Sequence, residues 1–331
     1  MDLPLLSALF LLFALTIYVL LDGFDLGVGA LLLVQRDQRI RDRMVDAIAP
    51  TWDGNETWLI MAGVTLLAGF PLAYSILIPA FYGPVILMLF ALGLRGVSFE
   101  FRYNSATSRR RWDVVFAAGS LVAALAQGNI IGGLIQGVSV NRVAFGGSPL
   151  DAFSPFSALT GVTAVAGYTT LGVGWLRLKG ETATRDFARS YQRWLPLAFL
   201  GLTIITVVIA ATLQPNLNVP WRDHRTALSF CLLVFCGCAL GITWSATRDD
   251  TDDRIGFGLA LAMMLSGVAA LGLSFFPNVV PFRISLWEAA SPPSTHVFLL
   301  IGAGVTTPVV LAYSAFAYRV FRGKTPVDGW Y

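Results

Sequence analysis

The chain has 331 residues, of which 56% are hydrophobic and only 13% charged, with a mean hydropathy of +0.68. A soluble domain carries about 25% charged residues, so a soluble enzyme, a disordered chain and a nucleic-acid-binding module are excluded. The net charge of +3 is too small to point to a polyanionic partner.

Taken in chain order, the sequence reads as an all-α integral membrane protein, a single polytopic unit over 1–331. Nine apolar runs, at 3–34, 50–72, 74–94, 113–137, 155–176, 194–213, 226–246, 255–276 and 296–318, are each near the 20 residues that a bilayer crossing needs. The start, MDLPLL, lacks a basic region and is not expected to be an ordinary cleavable signal peptide. The second and third runs are divided by Gly69-Phe70-Pro71 and Pro79, and Pro50 is expected to open the second helix at its first position. Cys231, Cys236 and Cys238 all lie in the seventh run without a C-x-x-C spacing, so they read as packing thiols rather than disulfides or zinc ligands.

With nine spans the connecting segments alternate sides, and nineteen of the 23 basic residues fall on one set of them. By the positive-inside rule that side is cytoplasmic, which places the N-terminus outside and the C-terminus inside. The longest connections are expected to be loops of 15 to 20 residues. No phosphate-binding loop or dinucleotide fingerprint occurs in them, which disfavours an ATP-driven pump.

The informative residues are acids inside apolar runs. Asp22 and Asp25 lie in the first run, three residues apart and so on one helix face. Asp25 is ten residues before Gln35, about 15 Å deep at 1.5 Å per residue. A carboxylate at such a depth costs about 2.5–3.5 kcal/mol to insert, so it must face protein, pair, or hold a proton. Two such acids can form a proton relay, and they can equally serve as hydrogen-bonding ties between helices. Gly23 and Gly27 on the same segment form a G-x-x-x-G pattern that permits close helix approach.

The second cluster is Trp52-Asp53-Gly54-Asn55-Glu56-Thr57-Trp58 at the start of the second run. Carboxylates are favoured at a helix N-terminus, but two acids, an amide and two indoles form a richer group than a cap requires. Asp53 and Glu56 are candidates for a wet mouth leading to Asp22 and Asp25. Arg95 and Glu100-Phe101-Arg102 follow at the inner end of the third helix, where a salt-bridged helix end is expected. Gln127, Asn129 and Gln136 are polar positions of the fourth run, and Asp249, Asp250, Asp252 and Asp253 read as a solvated run. The only two histidines, His224 and His296, are expected near the outer surface and do not make a multi-haem site.

Several of these blocks together resemble subunit II of the cytochrome bd-type quinol oxidases. They are Leu21-Asp22-Gly23-Phe24-Asp25-Leu26-Gly27-Val28-Gly29, Ala49-Pro50 through Trp58-Leu59, Arg95-Gly96-Val97-Ser98-Phe99-Glu100-Phe101-Arg102, Gly128-Asn129 with Gln136-Gly137-Val138, and Leu286-Trp287-Glu288-Ala289-Ala290-Ser291. The short length and the Arg95–Arg102 block resemble the cyanide-insensitive branch.

The resemblance implies two four-helix bundles plus one peripheral helix. It implies a bacterial inner-membrane quinol:O2 oxidoreductase in which this chain is haem-free, while subunit I carries haem b, haem d (or a b-type haem replacing it) and the quinol site. By position it implies a proton path through Asp22, Asp25 and Asp53, which the residue reading extends to Glu56 and Glu100. It implies an oxygen channel beside Trp58, and Asn55, Arg95 and Gln136 are read from the residues as structural or polar support. A structural quinone and a small single-helix subunit are further candidate partners. The alternative is a proton-coupled secondary transporter that uses the intramembrane aspartates.

Overall fold

A computed structural model describes residues 2–104, 108–142, 144–248 and 252–326. Among the described residues the chain is helical apart from two small antiparallel ribbons. The first run is α1 (Leu3–Leu31), whose N-cap Asp2 accepts a hydrogen bond from the Leu5 amide at 3.0 Å. A short amphipathic helix, α2 (Gln38–Asp46), follows it and buries Met44 and Val45. The second run is α3 (Trp52–Gly69). Pro50 does not open this helix. Residues 47–50 form a turn, and Thr51 takes the N-cap position.

The third run is also corrected. Pro71 starts a separate short helix, α4 (Pro71–Ala80), and the membrane helix proper is α5 (Tyr82–Asn104). Buried Met88, Ala91, Leu92, Arg95, Ser98, Phe99 and Arg102 recur at three- and four-residue spacing along α5. Arg95 and Arg102 therefore belong to a helix face rather than to a loop. The long helix α6 (Arg109–Gln136) comes next, and α7 (Pro155–Lys179) begins with Pro155 at its first position and a capping box from Ser154.

The segment expected as a loop before the sixth run is instead helix α8 (Thr182–Gln192), which buries Thr184, Ala188 and Gln192 at four-residue intervals. It is followed by α9 (Leu195–Leu213), the short α10 (Asn218–Asp223), α11 (Arg225–Thr247), α12 (Asp253–Phe275) and α13 (Pro293–Val320). The ribbons β1 (Val140–Asn141) with β2 (Ala144–Phe145), and β3 (Asn278–Val280) with β4 (Ile284–Ser285), close the connections α6–α7 and α12–α13.

Among the described residues, eight helical stretches are long and apolar enough to cross a membrane. The one run of the sequence without a counterpart among these is the second, α3, which falls short on hydropathy because its first turns carry Asp53, Asn55 and Glu56. Helices α1, α3, α5 and α6 form one bundle, and α7, α9, α11 and α12 form the second. α13 lies outside both, against α3 and α1, and is the most exposed of the long helices, whereas α7 is the most enclosed.

The bundles meet where α1 crosses α7. A Cβ placed on Gly27 would lie 1.8 Å from the Tyr168 carbonyl oxygen, and one on Gly172 would lie 2.7 Å from the Gly27 backbone. Only glycine on both helices allows this contact.

At the end where α1 finishes and α3 begins, basic residues interlock the helices. Arg102, nearly inaccessible, donates from Nε to Asp113 of α6 at 2.6 Å and pairs with Asp42 of α2. The Tyr103 hydroxyl donates to Asp46 at 2.7 Å, and burial pushes the Asp46 carboxyl above the usual range with Tyr103 opposing the rise. Asp253 is not a freely solvated acid: it binds Arg177 at 2.7 Å, Arg185 at 2.8 Å and Lys324 at 3.3 Å. Asp252 caps α12 through the Arg254 amide. Asp249 and Asp250 lie outside the described residues.

Candidate functional site

The acids of α1 and α3 come together next to α5. The first helix is apolar along most of its length and ends at Leu31, so Asp25 lies six residues, or about 9 Å, inside its end. Asp22 and Asp25 are both fully buried. Arg95, from the buried face of α5, donates from Nη2 to Asp22 Oδ1 at 2.7 Å and also pairs with Glu56 of α3. One guanidinium thus joins acids from two helices, and desolvation makes each of the three groups depend on the others.

Asp25 is served by an amide instead. Asn55 Nδ2 donates to Asp25 Oδ2 at 2.7 Å, and the Tyr318 hydroxyl of α13 donates to Asn55 Oδ1 at 3.1 Å. Asp22 Oδ2, Asp25 Oδ1, Arg95 Nε and Nη1, and the Trp58 indole N–H have no protein hydrogen-bond partner. Buried polar atoms are ordinarily satisfied, so this set is an unusual concentration of unpartnered polar atoms around the buried acids.

Three more residues extend the polar column beyond Asp22. Gln127 of α6 donates to the Tyr18 hydroxyl at 2.7 Å and accepts from the Tyr168 hydroxyl at 2.5 Å. In the other direction the column reaches the surface. A small open cleft is lined by Asp53, Gly54, Asn55, Thr51 and Tyr318, among others. Asp53 is exposed at its rim, in the first turn of α3, and Asn55 is buried. A rim acid and the amide that holds Asp25 therefore share one opening.

The other sequence candidates are distributed as follows. Trp58 is fully buried against Ala14, Tyr18 and Ala62, with Phe13 edge-on at 5.6 Å. Gln136 lies at the far end of α6, where its side chain accepts from Ser154 at 2.6 Å and its carbonyl accepts from Gln214 at 2.7 Å. It ties helix ends and does not join the acids. Glu100 is exposed on the other side of α5 from Arg95. It does not pair with Arg102, whose partners are Asp113 and Asp42.

Sequence reasoning missed Tyr18, Tyr168 and Tyr318, because a tyrosine in an apolar run gives no local sign of its partner. The Arg102 network was accessible, since Arg95, Ser98 and Arg102 share one helical face by spacing alone.

The histidines do not share a site. His296 is buried at the start of α13 with Nδ1 2.8 Å from the Ser7 hydroxyl, whereas His224 borders Phe276 between α10 and α11. Among the described residues no three His, Cys, Asp or Glu side chains are grouped as a metal ion would require.

Residues 3–321 match the family described as cytochrome bd terminal oxidase subunit II. The chain is 30% identical to a probable cytochrome oxidase subunit 2 of Haemophilus influenzae, over 92% of this chain and 90% of that one. It is 29% identical to the cytochrome bd-I ubiquinol oxidase subunit 2 of Escherichia coli K12, over 93% and 91%. It is 26% identical to the cytochrome bd ubiquinol oxidase subunit 2 of Bacillus subtilis, over 93% and 92%. In three dimensions it resembles a chain of the bd oxidase of Geobacillus thermodenitrificans with a TM-score of 0.78 at 17% identity, covering 97% of this chain and 99% of that one.

Proposed function

Because the chain belongs to the cytochrome bd terminal oxidase subunit II family, we propose that it carries protons from the cytoplasm toward the site of O2 reduction in its partner. It is a multi-pass membrane subunit of a quinol oxidase complex and acts together with a subunit I. In this reading the haem groups and the quinol site reside in subunit I, and the haems supply the redox chemistry. The N-terminus faces outside and the basic end faces the cytoplasm, which is the orientation the distribution of arginine and lysine favours. The length and the Arg95–Arg102 block favour the cyanide-insensitive branch. Oxygen uptake by the complex is then expected to persist at cyanide concentrations that stop a haem–copper oxidase, and a cyanide titration of membranes checks this.

The observation that carries the proposal is the continuity from cleft to buried acid. Asp53 collects protons at the rim, and Asn55 and the polar atoms around it lead to Asp25. Arg95 pairs with Asp22 and Glu56 and lies near Asp25, so one cation is set against three acids in a medium of low dielectric, and a proton on the cluster offsets the excess negative charge. Such a cluster stores protons and releases them without a net charge crossing the apolar core. Trp58, in the same buried cluster as Tyr18 and edge-on to Phe13, is the residue beside which O2 would enter in this reading.

The test is quinol-dependent O2 uptake by the purified two-subunit complex. Asp53→Asn is expected to slow turnover several-fold with haem content unchanged. Asp25→Asn is expected to slow it by about 10²-fold, the low end of what a positioned proton-transfer group contributes. Normal turnover in both variants would refute the relay.

A further inference from the structure

α13 is peripheral, yet one of its side chains reaches the buried acids. The Tyr318 hydroxyl donates to Asn55 Oδ1, and the same amide donates from Nδ2 to Asp25. A carboxamide has two faces, one donating and one accepting. With the hydroxyl on Oδ1, the NH2 group is turned to Asp25 and suits an ionised carboxylate. With the amide reversed, Oδ1 would face Asp25 and would accept only from a protonated carboxyl. The orientation of Asn55 and the protonation of Asp25 are thus linked, and Tyr318 biases the pair.

Tyr318 is itself held in place. Its ring stands edge-on to Trp175 at 6.0 Å, and Trp175 is fixed by its indole N–H on the Ala47 carbonyl at 3.0 Å. Beyond α13 the chain is strapped across the end of α7. Lys179 Nζ donates to the Phe321 carbonyl at 2.5 Å, the Thr325 amide donates to the Lys179 carbonyl at 2.9 Å, and Lys324 Nζ donates to the Arg177 carbonyl at 2.9 Å. Arg43 Nη1 donates to the Pro326 carbonyl at 2.7 Å. Tyr318 also forms the wall between two clefts, one holding Asp53 and the other lined by Trp175 and Lys179.

We infer that Tyr318 is a positioning residue for the proton path: it orients Asn55 toward Asp25, and the C-terminal strap sets its place. The inference rests on the proton-path reading above. Asp25 is faced by Asp22 on its own helix, Glu56 on α3, Arg95 on α5 and Tyr318 on α13, while α7 contributes the phenol of Tyr168 on the Asp22 side.

The experiment is the pH profile of quinol-dependent O2 uptake in the purified complex, with Asp25→Asn as the reference that identifies the limb belonging to Asp25. Tyr318→Phe, which keeps the ring, is expected to move that limb to higher pH by about one unit, a tenfold change in proton affinity. In an Asn55→Leu background the same substitution is expected to move it no further. A uniform loss of rate with an unmoved limb, or an equal shift in the Asn55→Leu background, overturns the inference while leaving the relay intact. A limb that survives Asp25→Asn overturns the relay and the inference with it. If Tyr318→Phe does not assemble, Lys324→Ala, which loosens the strap from outside the membrane, is expected to shift the limb in the same direction by less. An unmoved limb there overturns the inference as well.

Discussion

Arg95→Leu is expected to abolish assembly of the complex, measured as the yield of co-purified subunits and their haem absorbance. The guanidinium is 1% exposed and is the cation paired with both Asp22 and Glu56. Removing one partner of a buried ion pair costs about 3–5 kcal/mol, because the remaining charge is left desolvated and unpaired. Here one deletion strands two acids on two helices. Their association with α5 is then opposed rather than favoured.

The compensating experiment separates charge from packing. Adding Asp22→Asn and Glu56→Gln to Arg95→Leu removes the unpaired charges, and assembly is expected to recover in part. Turnover is not expected to recover with it, since the acids of the proton store are gone. If Arg95→Leu alone gave wild-type yield, the guanidinium would not be the tie between α1, α3 and α5.

The second large effect is steric. Gly27→Val places a Cβ within 1.8 Å of a backbone oxygen of α7. A flexible side chain can turn away from such a contact, but a helix backbone cannot. Overpacking a core costs about 1–3 kcal/mol when side chains can adjust. This site is expected at or above the upper end, seen as a lower unfolding temperature of the solubilised complex. Gly258→Ala, where a Cβ meets nothing within 4 Å, is the control and is expected to be neutral. Equal behaviour of the two variants would mean that α1 and α7 do not touch through backbone.

The parts that could be read from the sequence were those with local signals. Asp22, Asp25, Asp53, Glu56 and Asn55 stand out because polar groups are rare inside apolar runs, and the structure gathers all of them at one end of the first bundle. The membrane helices were visible as runs for the same reason. The divisions around Pro71 and Pro79 were harder. Proline marks a break but does not say whether the chain resumes as the same helix, and here α4 and α5 are separate.

The segments at 35–49 and 177–193 looked like loops by charge. They partly form short helices, because a few buried positions such as Met44 and Val45, or Thr184 and Ala188, need only one apolar face at the bundle end. Tyr318 and Gln127 could not be assigned partners at all. Their roles depend on which helices are neighbours, and that is set by small residues such as Gly27 and Gly172 at crossings far along the chain.

The backbone contact between α1 and α7 also limits how the molecule can work. Helices that touch through side chains can slide by rotamer changes, whereas helices joined glycine to glycine have no such slack. Gly27 lies two residues from Asp25, so the acid is mounted beside a backbone-to-backbone crossing. The contact ties the two bundles through backbone at this crossing. Any gating that leaves it intact must come from what surrounds it: the amide of Asn55, the phenol of Tyr318, or the outer helix that carries it. An alternating-access mechanism, which requires the two halves to rock against each other, would have to break this contact.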